Sequence, residues 1–246
     1  MSANRIVRAA VAVAGLSTFA GTAAAGPDGL ALKEGDRIVA LGDSITQAGG
    51  YLDLMRKVLA KHHPELKVEV LNAGISGHKS PDMLARLERD VLSKKPTIVT
   101  VSCGINDVWH GFNPALKGVD LETYTKLMGE IVDRIQAAGA RVYLLTPTVI
   151  KEDLDSPENR KLEAYCNAVR KLAAGKKCVL VDLNDLFNLS LRAAQMGGGA
   201  GFHPTSDGVH MKPSGDFLMG AAILRELGVP MREILDVARP EGPASK

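Results

Sequence analysis

The chain has 246 residues, of which 46% are hydrophobic and 24% are charged, and its formal net charge is +2. This length and apolar content fit a globular protein with a sizeable core. The basic residues form no Lys/Arg block and aromatic residues make up only 4% of the chain. The composition therefore argues against a nucleic-acid-binding protein.

The first predicted segment is an N-terminal leader. Arg5 and Arg8 precede an apolar run over residues 9–20, and small residues follow up to Ala25. This order is typical of a secretory signal peptide, which we expect at residues 1–25 and which predicts export to a periplasm or the medium. The alternative is an uncleaved anchor, although the run is shorter than the roughly 20 apolar residues of a membrane span. No later segment reads as a membrane span, so we expect no stable membrane insertion after cleavage.

Residues 26–246 are predicted to form one domain in which strands and helices alternate. The strands are short runs rich in Val, Ile and Leu, as in strands buried on both faces of a parallel sheet: RIVAL (37–41), VEVLN (68–72), TIVTVS (97–102), RVYLLT (141–146) and CVLVDL (178–183). Helical periodicity covers the segments between and after them: 51–62, 80–93, 121–138, 157–174 and 214–227. The alternation predicts an α/β fold, a three-layer α/β/α sandwich with a five-stranded parallel sheet.

The chain has three cysteines, Cys103, Cys166 and Cys178. An odd count in an exported protein leaves at least one free thiol. Cys166 and Cys178 are the candidates for a disulfide, and whether they are oxidised stays open. Cys103 is expected to be a small buried hydrophobe.

The polar residues that follow the predicted strands carry the chemical signal, because ligands of open parallel sheets bind outside the carboxyl ends of the strands. Gly42-Asp43-Ser44 follows the first strand, NAGISG (72–77) the second and GIND (104–107) the third. SDGVH (206–210) precedes the last helix.

These residue types are those that acyl transfer requires. A serine hydroxyl such as that of Ser44 needs an adjacent base, and His210 can take its proton. Asp207, three residues before His210, can orient the imidazole and stabilise its cation. The backbone N–H groups of Ser44 and Gly77 and the side-chain amide of Asn106 are candidate donors to an oxyanion.

Taken in order, the four blocks GDS, NAGISG, GIND and DGVH resemble those of the SGNH hydrolases, also called GDSL-type esterases and lipases. The resemblance covers nearly all of residues 26–246. It implies a flavodoxin-like sandwich and a serine esterase that uses no metal or other cofactor. By position, Ser44 corresponds to the nucleophile, Asp207 and His210 to the rest of the triad, and Ser44, Gly77 and Asn106 to the oxyanion hole.

Several assignments have alternatives. Gly74 is the other glycine of the second block, and we read it as a backbone requirement of the loop. Ser44 taken alone reads as a helix N-cap, and we expect Asp43 to hold loop backbone. His203 is a rival base, but Asp207-x-x-His210 matches the family spacing. His203 and His210 form no convincing metal site because no third ligand has suitable spacing.

Residues near the second and third blocks are candidates for substrate binding. These are His78, Trp109 and His110. The alternative for the two histidines is a place in a surface loop, and the default reading of Trp109 is core or loop packing. We expect an exported serine esterase that removes small acyl groups, first of all acetyl, from a small-molecule or polysaccharide ester. The alternatives are a lipase, lysophospholipase or thioesterase of the same family, and a non-catalytic carbohydrate- or lipid-binding module. The oligomeric state stays open.

Overall fold

The computed structural model describes residues 30–197 and 201–238. Five parallel strands form one sheet in the order β2-β1-β3-β4-β5, which is the flavodoxin-like order. They are β1 (Arg37–Gly42), β2 (Glu69–Gly74), β3 (Ile98–Ser102), β4 (Arg141–Leu145) and β5 (Val179–Val181). The predicted fold class is confirmed. The predicted signal peptide, residues 1–25, lies outside the described residues.

Helices connect and cover the strands. They are α1 (Ser44–Ala48), α2 (Gly50–His62), α3 (Ser80–Asp90), α4 (Ile105–Trp109), α5 (Leu121–Ala137), α6 (Pro157–Gly175), α7 (Leu183–Met196), α8 (Pro213–Glu226) and α9 (Met231–Ala238). The predicted helices correspond to α2, α3, α5, α6 and α8. Helices α1, α4, α7 and α9 were not predicted from the sequence. The helix predicted over 80–93 ends at Asp90, and a separate 3-10 turn (Leu92–Lys94) follows it.

The strand order explains the layers. The chain leaves β1 towards β2 in one direction and then crosses back over β1 to β3, so right-handed connections place successive helices on opposite faces. On one face, α2 packs against α8 and α9; on the other, α3 packs against α5 and α5 against α6. The apolar residues of β1 are therefore buried on both sides, from Ile38 to Leu41.

The reversal of strand order at β1 also determines where the candidate site residues lie. β1 pairs with β2 on one side and with β3 on the other. Ligands of such sheets bind at the carboxyl edge where the strand order reverses. Ser44 follows β1, Gly77 follows β2 and Asn106 follows β3, so all three positions lie at this edge.

All three cysteines are buried and free. The pairing considered for Cys166 and Cys178 does not occur. Helix α6 continues from Cys166 to Gly175, which is about 13 Å of helix, before the chain turns back at Cys178. The Cys178 N–H donates to Ala173 O near the end of that helix. A disulfide needs Cα atoms within about 7 Å.

Candidate active site

Ser44 lies at the sharp turn between β1 and α1. The Asp43 carboxylate caps α1 by accepting the Ile45 N–H at 3.0 Å, which is the backbone role expected for it. A Cβ at Gly42 would lie 2.0 Å from Thr46 Oγ1, so the turn requires glycine there. Ser44 is therefore the first residue of the helix and is partly exposed at the edge of the sheet.

The structure brings Ser44, Asp207 and His210 together. His210 Nε2 lies 2.9 Å from Ser44 Oγ. His210 Nδ1 lies 2.6 Å from Asp207 Oδ2. The other carboxylate oxygen, Asp207 Oδ1, accepts the backbone N–H groups of Val209 and His210 at 3.0 and 2.8 Å. The side chain of Asp207 is thus held at three points.

These contacts determine where the imidazole proton lies. Burial raises the pKa of Asp207, but the hydrogen bonds from the His210 side chain and backbone and from the Val209 N–H outweigh it and lower that pKa to about 2. An ionised carboxylate can only accept, so Nδ1 of His210 carries the proton. Nε2 is then the acceptor of the Ser44 hydroxyl, which is the arrangement a general base needs.

The loop that carries Asp207 and His210 is fastened at its base. The Thr205 and Met211 backbones form an antiparallel bridge, and the Lys212 N–H donates to Pro204 O at 2.8 Å. Glu152, in the segment after β4, accepts both the N–H and the hydroxyl of Thr205, at 2.9 and 2.6 Å. The loop is therefore tied both to itself and to the β4–α6 connection.

The two glycines of the second block have different surroundings. A Cβ at Gly74 would lie 2.2 Å from Gln47 N, so α1 packs directly on the backbone of Gly74. Gly77 has a φ of +76°, and a Cβ there would meet no atom within 4 Å. Gly77 thus combines a backbone conformation that favours glycine with open space beside it.

Asn106 is buried in the first turn of α4, directly beside the Gly77 loop. Its Nδ2 donates to His78 O at 3.1 Å, and the amide carries a second N–H. On the other side of this loop, the Ser76 N–H donates to Gln47 Oε1 at 2.6 Å. The loop between β2 and α3 is therefore attached both to the helix that begins at Ser44 and to Asn106.

Two further carboxylates lie buried beneath the site. Burial raises the pKa of Asp43 to about 6, although the Ile45 N–H and the charge of His210 oppose this shift. Burial also raises the pKa of Asp107, against hydrogen bonds from the Ser80 hydroxyl and N–H. Asp107 thus fastens the start of α3 to α4.

The candidate substrate-binding residues lie around the edge of this site. His78 is half-buried. Two effects lower its pKa: burial, which is the larger, and the positive charge of Arg86. His110 is half-buried at the end of α4. Burial, and to a smaller extent the positive charge of Lys79, lowers its pKa. Trp109 is partly buried against the core. The rival base, His203, contacts Glu152 through Nδ1, whereas the contact with the Ser44 hydroxyl is made by His210.

Three residues that hold the loops of the site in place were not predicted from the sequence: Gln47, Arg86 and Glu152. None of them lies in a recognisable motif, and each binds backbone that is distant in the chain. Over residues 30–197 and 201–238, no group of three or more His, Cys, Asp or Glu side chains is arranged to hold a metal ion. Among the helices in those ranges, none combines the length and the hydropathy of a membrane span.

Comparison with known proteins gives a family match and close relatives. The model of the GDSL-like Lipase/Acylhydrolase family matches residues 40–211. An acetylxylan esterase of Geobacillus stearothermophilus is 30% identical over 218 residues, which cover 80% of this chain and 96% of that protein. The esterase TesA of Pseudomonas aeruginosa is 31% identical over 153 residues, 58% of this chain and 68% of that protein.

Solved structures agree with these matches. The crystal structure of an acetylxylan esterase from Geobacillus stearothermophilus superposes with a TM-score of 0.74 at 28% identity, over 81% of this chain and 97% of that one. An acetyl xylan esterase, AlAXEase, superposes with a TM-score of 0.71 at 33% identity, over 77% of this chain and 98% of that one. The shared fold thus extends over nearly the full length of both relatives.

Proposed function

The chain belongs to the GDSL-like lipase/acylhydrolase (SGNH hydrolase) family and is a serine ester hydrolase, and we propose that it removes acetyl groups from a carbohydrate. One observation supports the proposal above the others. The Asp207–His210–Ser44 contacts are formed in a chain that is 30% identical to an acetylxylan esterase over most of both lengths. Because the chain is an ester hydrolase, the alternative of a non-catalytic binding module is not supported.

In the proposed mechanism Ser44 is the nucleophile and His210 the general base. Ser44 Oγ attacks the acetyl carbonyl carbon while its proton passes to His210 Nε2. The resulting imidazolium gives that proton to the sugar oxygen as the ester bond breaks, which leaves an acetyl group on Ser44. Water then attacks the acetyl carbonyl carbon while giving a proton to His210 Nε2, and His210 returns that proton to Ser44 Oγ as the bond to the acetyl group breaks and acetate leaves. Asp207 holds the tautomer and stabilises the imidazolium in both steps.

The tetrahedral intermediates carry a negative oxygen that needs fixed donors. We assign this role to the N–H groups of Ser44 and Gly77 and to the Asn106 amide. The open space beside Gly77 and the second N–H of the Asn106 amide support the assignment. One such donor contributes roughly 3 kcal/mol to lowering the barrier.

For the alcohol part of the substrate we propose a carbohydrate bound against His78, Trp109 and His110. All three are only partly buried and follow the second and third blocks. Trp109 offers an apolar surface, and the histidines offer neutral ring nitrogens because the pKa of each is lowered. A neutral polar edge suits hydroxyl groups better than it suits an anionic headgroup.

The test compares acyl length and alcohol in one experiment. Nitrophenyl esters from acetyl to long acyl chains, acetylated xylo-oligosaccharides and a lysophospholipid are offered to the wild type and to Ser44→Ala. The proposal expects Ser44-dependent acetate release from the oligosaccharides and a steep fall in rate beyond short acyl chains. A preference for long acyl chains or for the lysophospholipid would favour a lipase, lysophospholipase or thioesterase function instead, for which the similarity to the esterase TesA is the supporting observation.

We also propose that residues 1–25 direct export and that residues 26–246 form the mature esterase. The Arg5/Arg8 start, the apolar run and the small residues before Gly26 support this. Expression of the full chain in a Gram-negative host, followed by fractionation and intact-mass analysis, tests it. Cleavage near Ala25 and recovery outside the cytoplasm are expected; an uncleaved chain in the membrane fraction would indicate an anchor.

A further inference from the structure

Arg86, on α3, is a buried arginine with an unusual set of partners. Its side chain is 4% exposed. Its guanidinium donates to Gly42 O at 2.8 Å, to Ala73 O at 2.7 Å and to His78 Nδ1 at 3.0 Å. A longer contact of 3.4 Å reaches Asp90. Burying a guanidinium is costly unless its donors are satisfied. The buried position of Arg86 therefore indicates a role other than that of a solvated surface charge.

Three of the partners of Arg86, Gly42, Ala73 and His78, lie in the segments that lead to or adjoin the proposed oxyanion donors. Gly42 ends β1, two residues before Ser44. Ala73 lies near the end of β2, at the start of the loop that carries Gly77. His78 directly follows Gly77, and its carbonyl accepts the Asn106 amide. One side chain therefore binds the segments that position all three donors.

We propose that Arg86 is the positioning residue of the oxyanion hole: it ties the ends of β1 and β2 to the His78 ring and thereby fixes where the donors of Ser44, Gly77 and Asn106 point. This inference rests on the proposed serine esterase function. Arg86 does not touch the reacting atoms in this account. It acts through the backbone and through His78.

Such a tie is needed because the sheet ends at this point. The last paired positions of β1 and β2 are Gly42 and Gly74. Beyond them the two strands continue into different loops, and the hydrogen bonds of the sheet no longer set the distance between them. Gly42 O accepts both the Ile75 N–H, at 3.1 Å, and Arg86. Arg86 thus continues the connection between the strands past the end of the ladder.

The contact with His78 also determines the state of that ring. An arginine N–H can only donate, so His78 Nδ1 is unprotonated and the neutral ring carries its proton on Nε2. Burial and the charge of Arg86 lower the pKa of His78 in agreement with this. Asp82, Asp90 and Arg89 are the other charged groups acting on the ring. The His78 backbone, whose carbonyl holds Asn106, is thereby fixed by its own side chain.

The experiment compares Arg86→Lys and Arg86→Gln with a control arginine. Arg56 also binds a β2 carbonyl, Val70 O, at 3.0 and 2.9 Å, but from α2 and far from the carboxyl edge. Each full-length variant is assayed for kcat and KM with nitrophenyl acetate and for inhibition by phenylboronic acid, which forms a tetrahedral adduct with an active serine. Thermal unfolding measures the folded fraction.

For folded Arg86 variants we expect kcat to fall by about 10- to 100-fold, as for a misplacement on the order of 1 Å, while KM changes by less than about threefold. Phenylboronic acid should bind more weakly by a factor similar to the loss in kcat. The acid limb of the pH–rate profile should keep its position, because the Asp207–His210 contact is intact. Arg56→Lys should keep the wild-type kcat. Wild-type kcat in the folded Arg86 variants would overturn the proposal, as would failure of both to fold, since Arg86 would then serve stability.

A double-variant test separates positioning from a general effect. If Arg86 acts through Asn106 and its neighbours, the loss in Arg86→Lys combined with Asn106→Ala is smaller than the product of the separate losses. Independent, multiplicative losses would count against the proposal. Failure of the proposed function itself would be visible beforehand, because the wild type would then have no nitrophenyl acetate activity that Ser44→Ala removes.

Discussion

His210 Nε2 lies 2.9 Å from Ser44 Oγ although 166 positions separate the two residues in the chain. Ser44 is placed by β1 and by the cap of α1, whereas His210 is placed by the loop between α7 and α8. The contact therefore depends on how that loop is fixed to the sheet. Asp207 and Glu152 provide this fixation, one within the loop and one from the β4–α6 segment.

Replacing Asp207 by Asn should lower kcat for nitrophenyl acetate by between about 100- and 10,000-fold, because the amide can present its N–H to His210 Nδ1 and favour the wrong tautomer. The Asn side-chain oxygen can still accept the Val209 and His210 N–H groups, so the loop should remain in place. Steady-state kinetics and thermal unfolding check the two statements. A folded Asp207→Asn enzyme with near wild-type kcat would contradict the assigned role.

Replacing Glu152 by Gln should lower kcat/KM by between about 3- and 30-fold, because the loop with Asp207 and His210 loses a charged acceptor for two donors of Thr205. We also expect a loss of about 1–2 kcal/mol in the free energy of unfolding. Glu158→Gln is the matched control: Glu158, in the first turn of α6, accepts from Nζ of Lys151, the neighbour of Glu152, at 2.5 Å. Equal losses in the two variants would mean that Glu152 has no particular effect on the loop.

The glycines of the second block should respond differently to alanine. Gly74→Ala places a Cβ 2.2 Å from Gln47 N, so α1 must shift; we expect a loss of about 3 kcal/mol in stability together with reduced activity. Gly77→Ala strains a residue with φ of +76° in open space, which costs about 1–2 kcal/mol. Urea unfolding of both variants checks the order. A larger loss for Gly77→Ala would mean that the packing of α1 on β2 is more adaptable than described.

The titration of Asp43 should contribute to the pH dependence of the free energy of unfolding. Burial raises its folded-state pKa from the ordinary 3.8 to about 6. Between these values the folded protein binds more protons than the unfolded chain, so the free energy of unfolding falls as pH rises through this window. The difference between a pKa of 3.8 and one of about 6 lowers the free energy of unfolding by ~3 kcal/mol at pH 7.

Asp43→Asn removes this dependence while keeping an acceptor for the Ile45 N–H. The difference in unfolding free energy between the variant and the wild type should therefore increase, in favour of the variant, from pH 4 to pH 7 by about 2 kcal/mol. Urea titrations at several pH values measure it. A difference that stays constant across this range would show that Asp43 is not held with a raised pKa.

Local sequence patterns were sufficient to predict the sheet and to place the motif residues at its carboxyl edge. Strands buried on both faces are unbroken apolar runs, and the residues after them, such as Ser44 and Asn106, follow directly from where each run ends. The helix α7 was missed because Asn184, Asn188 and Ser190 are weak helix formers in its interior. Its helical spacing of buried residues was nevertheless present, at Leu183, Leu186, Phe187 and Leu191.

The supporting residues could not be predicted in this way. Arg86 reads as an ordinary charged residue of an amphipathic helix, and Glu152 as a solvated acid in a polar loop. Their roles depend on carbonyl and N–H groups 44 and 53 positions away. No local pattern reports which backbone groups the end of a sheet leaves without ladder partners. The disulfide considered between Cys166 and Cys178 failed for a related reason, since only the intact helix α6 sets their separation.

The most direct test of the central claim is the rate of nitrophenyl acetate hydrolysis by the wild type and by Ser44→Ala, each purified to homogeneity and shown to be folded. We expect a loss of at least about 10,000-fold in kcat, because removal of the proposed nucleophile ends acyl-enzyme formation. Ser76→Ala, in the neighbouring loop, should retain activity, because only the backbone N–H of Ser76 contacts Gln47. A Ser44→Ala enzyme that hydrolyses the ester at the wild-type rate would contradict the assignment of Ser44 and the mechanism built on it.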